Sequence, residues 1–203
     1  MKKSLLLTAI LVVASAVAVA PVFAQVVFTV SAQVPASTGV NFVVSRVVGT
    51  VFTKQAANFT NLNFGVLALD PVNQIFLPDH GWVIDVAPNG ASRPDLSVSY
   101  QDTGNPTGVP IGQGLAQHGT ITFAEVVFGP PETTNVIDGM SLGQSNGTLI
   151  NETQFANGFL RMFLGIATGD PALDEGTATP FTAVNAAGTY TGELTLTATF
   201  DVP

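Results

Sequence analysis

Cysteine is absent from the 203-residue chain, which excludes disulfides and thiolate metal sites. Basic residues are also scarce: six Lys and Arg stand against fourteen Asp and Glu, so the formal net charge is −8. Nucleic acids and anionic membrane surfaces bind clustered Lys and Arg, which this chain lacks. Charged residues make up only 10% of the sequence. We therefore expect no nucleic-acid partner, and a fold that depends on its apolar core alone.

Residues 1–24 have the form of a secretory signal peptide. Lys2 and Lys3 precede an apolar run over residues 5–20, and Val22 and Ala24 stand where a signal peptidase reads small residues. A retained membrane helix is the alternative, but the run is short and strand-like alternation follows it at once. We predict export, cleavage after Ala24 and no membrane insertion afterwards. The remaining chain has four basic and fourteen acidic residues, a net charge of −10.

After the leader, helical periodicity is nearly missing and short alternating runs recur between turn residues. Alternation with period two is typical of strands that bury one face. Predicted strands cover 40–52 (one or two strands), 59–69, 81–90, 95–105, 119–131, 158–168 and 189–200. The stretch 129–157 is the least regular and is expected to hold a long loop or a short helix. Eight or nine short strands predict one all-β domain over residues 40–203, a single antiparallel β-sandwich of Ig-like or jelly-roll-like type.

The last predicted strand has the clearest pattern. Tyr190, Leu194, Leu196, Ala198 and Phe200 fall on one face, and Glu193 and a row of threonines fall on the other. This alternation is typical of a half-buried antiparallel strand with a polar outer face.

The opening segment raises the question of where its strand pairs. Residues 25–34 alternate cleanly, and the Pro- and Gly-containing hinge 35–39 separates them from the rest of the domain. Pairing within the chain and donation to a neighbouring subunit both fit, and the receiving groove is expected beside the strand 189–200. The predicted subunit-interface face consists of Val26, Phe28, Val30, Ala32 and Val34.

Candidate catalytic motifs are weak. Two overlapping G-x-S-x-G matches, 139–143 and 143–147, centre on Ser141 and Ser145, but neither lies between a predicted strand and helix. Both histidines, His80 and His118, precede these serines and have the sequence context of turn residues. We therefore predict no enzyme activity, no catalytic residue and no cofactor.

Two further kinds of site remain open from the sequence. One loop contains three carboxylates that could bind calcium, those of Asp170, Asp174 and Glu175, although their spacing is not that of an EF-hand. Sequons at Asn58, Asn146 and Asn151 are possible glycan acceptors.

The opening strand with its hinge, the segment 61–70 and above all residues 188–200 resemble small secreted bacterial β-sandwich proteins of the spore-coat-U and fimbrial-subunit kind. In those families a Gly-x-Tyr-x-Gly turn leads into a Thr-rich last strand, as residues 188–192 do here. The resemblance implies a non-enzymatic surface or pilus-like filament subunit that assembles with itself through its N-terminal strand. The alternative is a monomeric adhesive or ligand-binding module that presents loops such as 101–118 and 129–157.

Overall fold

The chain folds into an all-β sandwich, which confirms the predicted fold class. The computed structural model describes residues 27–33, 40–57, 59–90 and 92–200, with the backbone alone for 27–33. The strands of these ranges are β1 (Val27–Gln33), β2 (Val40–Val48), β3 (Val51–Lys54), β4 (Asn61–Val66), β5 (Ala68–Asp70), β6 (Ile75–Leu77), β7 (Gly81–Pro88), β8 (Asp95–Gly104), β9 (Gly119–Val127), β10 (Thr133–Ser141), β11 (Thr148–Ile150), β12 (Gly158–Ile166), β13 (Phe181–Thr182) and β14 (Tyr190–Thr199). A helical turn α1 (Leu115–His118) and two 3₁₀ turns (Leu142–Gln144 and Glu152–Phe155) interrupt them.

Two large sheets and one small one contain these strands. The five-stranded sheet has the order β11-β8-β14-β1-β4, and the six-stranded sheet has the order β10-β9-β12-β7-β2-β3. Strands β13, β6 and β5 form a small third sheet. Neighbouring strands pair antiparallel with one exception, β1 with β14, which is parallel. The N-terminal strand therefore differs from the rest of the fold in its pairing.

The core lies between the two large sheets and follows the alternation of their strands. In β12, Leu160, Met162 and Leu164 are buried while the residues between them are partly exposed. In β14, Leu194 and Leu196 are fully buried. Side chains from both sheets join one apolar cluster, as expected when each sheet buries one face. The inward face predicted for the strand 189–200 is confirmed at Tyr190, Leu194 and Leu196.

Each named residue of the Gly-x-Tyr-x-Gly turn that leads into β14 has a structural role. The Tyr190 hydroxyl donates to the Ala186 carbonyl oxygen at 2.7 Å, which ties the start of the strand to the preceding loop. Gly192 lies against the phenol of Tyr100, and a Cβ at this position would stand 1.9 Å from the Tyr100 hydroxyl oxygen. Gly188 has a φ of +145°, a backbone conformation that other residues rarely adopt.

The sequence prediction is wrong in two respects. The described residues form fourteen strands rather than eight or nine. The stretch 129–157, expected to be loop or helix, contains the nine-residue strand β10, the short strand β11 and two 3₁₀ turns. Most residues of β10 are exposed because it is an edge strand, so its sequence does not alternate. Strands β6 and β13 have only three and two residues, too few for a recognisable period.

In the part of the chain that the structure describes, no helix has the length and apolarity needed to span a membrane.

Candidate functional site

The N-terminal strand occupies the position between β14 and β4 in the five-stranded sheet, which we call the strand slot. It pairs in parallel with β14 from Phe28 opposite Tyr190 to Gln33 opposite Thr195. It pairs antiparallel with β4 from Val27 opposite Val66 to Ser31 opposite Asn61. A strand in this position is not an optional edge addition, because it joins β4 to the rest of the sheet.

The predicted interface face of this strand lies mostly outside the described residues. Val26, Val34 and the hinge 35–39 are not among them, and for Phe28, Val30 and Ala32 only the backbone is described. The leader 1–24 also lies outside them.

One wall of the strand slot, β14, is held in place by a neighbour other than β1. Strand β14 pairs with β8 from Thr191 opposite Gly104 to Thr199 opposite Asp95. Its side chains Leu194 and Leu196 are fully buried in the core. This wall therefore has sheet and core contacts that do not depend on the N-terminal strand.

The other wall, β4, is held by contacts with the opposite sheet. Leu62 and Phe64 are buried in the core. The Asn63 carbonyl oxygen accepts hydrogen bonds from His80 Nε2 at 2.7 Å and from Trp82 Nε1 at 3.2 Å. Both walls thus have anchors besides the strand between them, as a groove that accepts a strand requires.

His80 and the aromatic residues beside it reinforce this second anchor. The Trp82 ring stacks on Phe59 with centroids 5.4 Å apart, and the His80 ring lies edge-on to Trp82 at the same distance. His80 also contacts Asp79 and Arg46. His80 was predicted as a turn residue, and it does precede β7, but its side chain is largely buried as a link between the two sheets.

A second feature is a polar cavity at one end of the sandwich, which we call the loop pocket. Its volume is about 450 Å³, within the usual range of ligand pockets. The α1 turn, the first 3₁₀ turn and the loop before β13 surround it. All its lining residues are uncharged: Gly112, Ala116, Gln117, Ser141, Gly143, Gln144, Thr177 and Thr179.

The buried carboxylate of Asp102 organises the loop 105–118 on one side of this pocket. Its Oδ2 accepts hydrogen bonds from the backbone N–H groups of Gly112 at 3.1 Å and Gly114 at 3.0 Å. Its Oδ1 accepts from the Tyr100 hydroxyl at 2.8 Å and from the Ala116 N–H at 3.1 Å. Burial raises the pKa of the Tyr100 hydroxyl, and the Asp102 charge adds to this rise. Tyr100 is therefore a proton donor to Asp102 at neutral pH.

Gln144 joins the other two segments around the loop pocket. Its Oε1 accepts hydrogen bonds from Ser141 N at 3.1 Å, from Ser141 Oγ at 3.0 Å and from Thr177 N at 3.2 Å. One carboxamide oxygen thus connects the 3₁₀ turn to the loop before β13.

His118, in its neutral form, holds the pocket residue Thr179 by a hydrogen bond. Its Nδ1 donates to the Thr179 carbonyl oxygen at 2.7 Å, and its Nε2 lies 3.3 Å from the Asn185 amide nitrogen, which can only donate. The ring packs on Phe181 with centroids 3.8 Å apart. Burial lowers the pKa of His118. This residue was also predicted as a turn residue, and it ends the helical turn α1, but it is buried.

Both serines of the G-x-S-x-G matches are buried. Ser141 Oγ donates to Gln144, and Ser145 Oγ donates to the Leu142 carbonyl oxygen at 2.7 Å. Each hydroxyl thus stabilises the local 3₁₀ turn.

The three loop carboxylates considered for calcium point to different partners. Asp174 accepts from the backbone N–H groups of Thr168 and Gly169, each at 2.6 Å. Asp170 accepts from Ala172 N, and Glu175 accepts from Thr122 Oγ1 at 3.1 Å. Over the described ranges, no group of three or more His, Cys, Asp or Glu is placed to hold a metal ion.

The three sequons differ in their surroundings. Asn146 is exposed, and its Oδ1 accepts from Tyr100 N at 3.0 Å. Asn151 is also exposed and precedes the second 3₁₀ turn. Asn58 lies outside the described residues.

The organising role of Asp102 was not predicted, although the sequence contains a signal for it. Leu96, Val98 and Tyr100 point inward, and two residues later Asp102 continues the same phase. Glu125 likewise follows the inward residues Ile121 and Phe123 of β9, and it accepts Asn157 N at 2.9 Å. A carboxylate on the inward phase of a strand predicts a buried acceptor for backbone N–H groups.

No family model matches the chain, and comparisons with curated proteins and with solved structures find no match either.

Proposed function

We propose that this protein is an exported, non-enzymatic structural subunit of the cell surface, and that it assembles into filaments by exchanging its N-terminal strand. The observation that carries the proposal is the strand slot. A terminal strand fills the interior of a sheet whose two flanking strands have other anchors. The leader over residues 1–24 supports export.

The topology favours exchange because the same backbone pairs form whichever copy supplies the strand. Domain swapping of this kind preserves the contacts of the monomer and adds only the change in the connecting segment. The hinge 35–39 lies between the strand and the domain and contains Pro35 and Gly39. A slot left empty would expose two strand edges, which favours capture of a strand from another copy.

The resemblance to spore-coat-U and fimbrial subunits supports the same proposal. It rests on the Gly-x-Tyr-x-Gly turn and the Thr-rich last strand. That last strand is also the parallel partner of the N-terminal strand.

The absence of native cysteine permits a direct test by disulfide trapping. Ser31 and Glu193 are register partners, so their Cα atoms lie about 5 Å apart, a separation that a disulfide spans. One chain carries Ser31→Cys, and a second, size-tagged chain carries Glu193→Cys. Each chain has a single cysteine, so a disulfide between the two kinds of chain forms efficiently only when the strand of one copy lies in the slot of another.

Two controls make the result decisive. Thr199→Cys replaces Glu193→Cys in a matched mixture, since Thr199 lies six residues further along β14 and about 20 Å away. The double variant with both Ser31→Cys and Glu193→Cys reports pairing within one chain. We expect a mixed dimer for the matched pair, none for the control pair, and filaments by negative-stain electron microscopy. Complete internal closure of the double variant with no mixed dimer would refute exchange.

The loop pocket favours a second candidate function, a binding module that stays monomeric. The pocket lies between the loop 105–118, the first 3₁₀ turn and the loop before β13, and it offers uncharged hydrogen-bonding groups, which suits a neutral, hydroxyl-rich ligand such as a carbohydrate. Titration of the chain with dextran and cello-oligosaccharides tests this candidate. Binding that is lost in Gln117→Leu and kept in Thr197→Leu, which lies on the exposed side of β14, would support it.

A further inference from the structure

The outer faces of the two large sheets differ in chemistry. On the five-stranded sheet, Thr195 lies opposite Ser99 and Thr197 lies opposite Ser97, so this outer face is polar. That is the usual arrangement for an antiparallel sheet with one face in solvent. The outer face of the six-stranded sheet can be compared with this polar face.

The outer face of the six-stranded sheet carries a group of large apolar side chains. Its register places one row of residues across five strands, in the order Val136, Ala124, Arg161, Asp85 and Val43. Further outward-facing positions hold polar residues such as Thr122 and Ser45, together with the apolar residues Val126, Phe159, Phe163, Val83, Val47 and Phe52.

Part of this layer is already buried, and part is left in solvent. Val83, Ala124 and Val126 are at most 1% exposed although they point away from the sandwich core. Phe52 is 44% exposed and Val136 is 68% exposed. Phe128, 59% exposed, packs beside Phe159 with ring centroids 5.5 Å apart. Large apolar side chains left in water on one face of a sheet are typical of an interaction surface.

Arg161 and Asp85 pair directly with each other on this face. Arg161 and Asp85 form a two-pronged ion pair, with Nε to Oδ1 at 2.6 Å and Nη2 to Oδ2 at 2.8 Å. The guanidinium also lies 5.0 Å from the Phe52 ring centroid and 5.4 Å from that of Phe159. The bonds to Asp85 raise the pKa of Arg161, and nearby Glu132 adds to this rise. The guanidinium is thus stabilised both by the carboxylate and by two aromatic rings.

This face carries little net charge although the chain is strongly acidic. Lys54 and Arg161 on or beside it stand against Asp85, Glu132 and Glu175, which accepts from the outward Thr122, a net charge of −1, whereas the whole chain has a net charge of −8. Two copies that approach through other surfaces bring like charges together. Two copies that meet through this face bury apolar side chains and bring little like charge together, which makes a second copy the best-matched occupant.

We propose that the outer face of the six-stranded sheet is a contact between two copies of this chain. The contact is isologous, with the same patch on both partners, and centres on Phe52, Phe159 and Val136. It is separate from strand exchange, because the strand slot lies in the other sheet.

The test is sedimentation velocity on the chain from Gln25 onward, which includes every described residue. The variants are Val136→Asp and Phe52→Asp, both at exposed positions that tolerate a polar side chain. The matched control is Thr197→Asp, which adds the same charge to the polar outer face of the other sheet. Circular dichroism and thermal unfolding establish that each variant is folded.

We expect the wild type and Thr197→Asp to form a dimer or larger assembly, and each face variant to raise the dissociation constant of this contact about tenfold or more. Added salt should strengthen the wild-type contact, because it screens repulsion between acidic copies without weakening apolar burial. Wild-type monomers at every salt concentration, or face variants that associate as the control does, would overturn the proposal. Ser31→Cys and Glu193→Cys trapping in the Val136→Asp background keeps the two proposals distinguishable, since exchange should persist there.

Discussion

Replacing Asp102 by Asn should open the loop that borders the loop pocket. The substitution preserves the size of the side chain but replaces one carboxylate oxygen by an NH₂ group. Gly112 N and Gly114 N donate to one oxygen, and the Tyr100 hydroxyl and Ala116 N donate to the other. Whichever way the amide turns, two donors therefore face another donor.

The magnitude follows from the burial of these donors. A buried donor left without an acceptor costs about 1–3 kcal/mol. In each pair of donors, one can find another acceptor: the Tyr100 hydroxyl can rotate, and the Gly112 N–H is exposed enough to reach water. Only one donor of a pair therefore loses its hydrogen bond completely. We expect Asp102→Asn to lower the free energy of unfolding by about 2–4 kcal/mol. Urea denaturation followed by circular dichroism measures this loss.

Asp138→Asn is the matched control because it makes the same change in charge at an exposed site. Its Oδ1 accepts one local hydrogen bond, from Gly139 N at 2.8 Å, and an amide oxygen can accept that bond equally well. The control should lie within about 0.5 kcal/mol of the wild type. Equal midpoints for the two variants would refute the view that the Asp102 carboxylate holds the loop.

Two further predictions concern packing and pH. Gly158→Ala should lower the free energy of unfolding by about 3 kcal/mol, because the new Cβ would stand 1.7 Å from the Val126 carbonyl oxygen. Its control is Gly90→Ala, whose new Cβ enters open space and should have little effect in the same denaturation assay. Since burial lowers the folded-state pKa of His118, the unfolded chain takes up its proton first as the pH falls, so this contribution to stability is complete above about pH 6.5 and decreases below it. His118→Gln should flatten the stability profile between pH 7 and 5, and an unchanged slope would contradict the neutral buried form.

The two proposed contacts between copies use different sheets and so do not compete. Strand exchange fills the slot between β14 and β4 and would link copies end to end. The apolar face lies on the outside of the six-stranded sheet and would join copies side by side. Filaments made with both contacts should be laterally paired, and Val136→Asp should separate them into single strands visible by electron microscopy.

Much of the fold could be predicted from local patterns. The alternation in β14 correctly identified Tyr190, Leu194 and Leu196 as core residues, because side-chain direction in a strand has a period of two. The strand β10 could not be predicted in this way, since it is an edge strand with little buried surface. The burial of Asp102 is consistent with its phase, but its partners lie ten to fourteen residues away in a loop without periodicity.

The sequence by itself determined that this chain is an all-β protein without disulfides, that its strands have distinct inner and outer faces, and that a segment containing Pro and Gly follows its first strand. Only the tertiary structure decided that the first strand lies parallel to the last, and that the outward-facing Phe and Val residues of separate strands meet on one sheet. The reason is that side-chain direction is a local property of the backbone, whereas strand order depends on contacts between segments far apart in the chain.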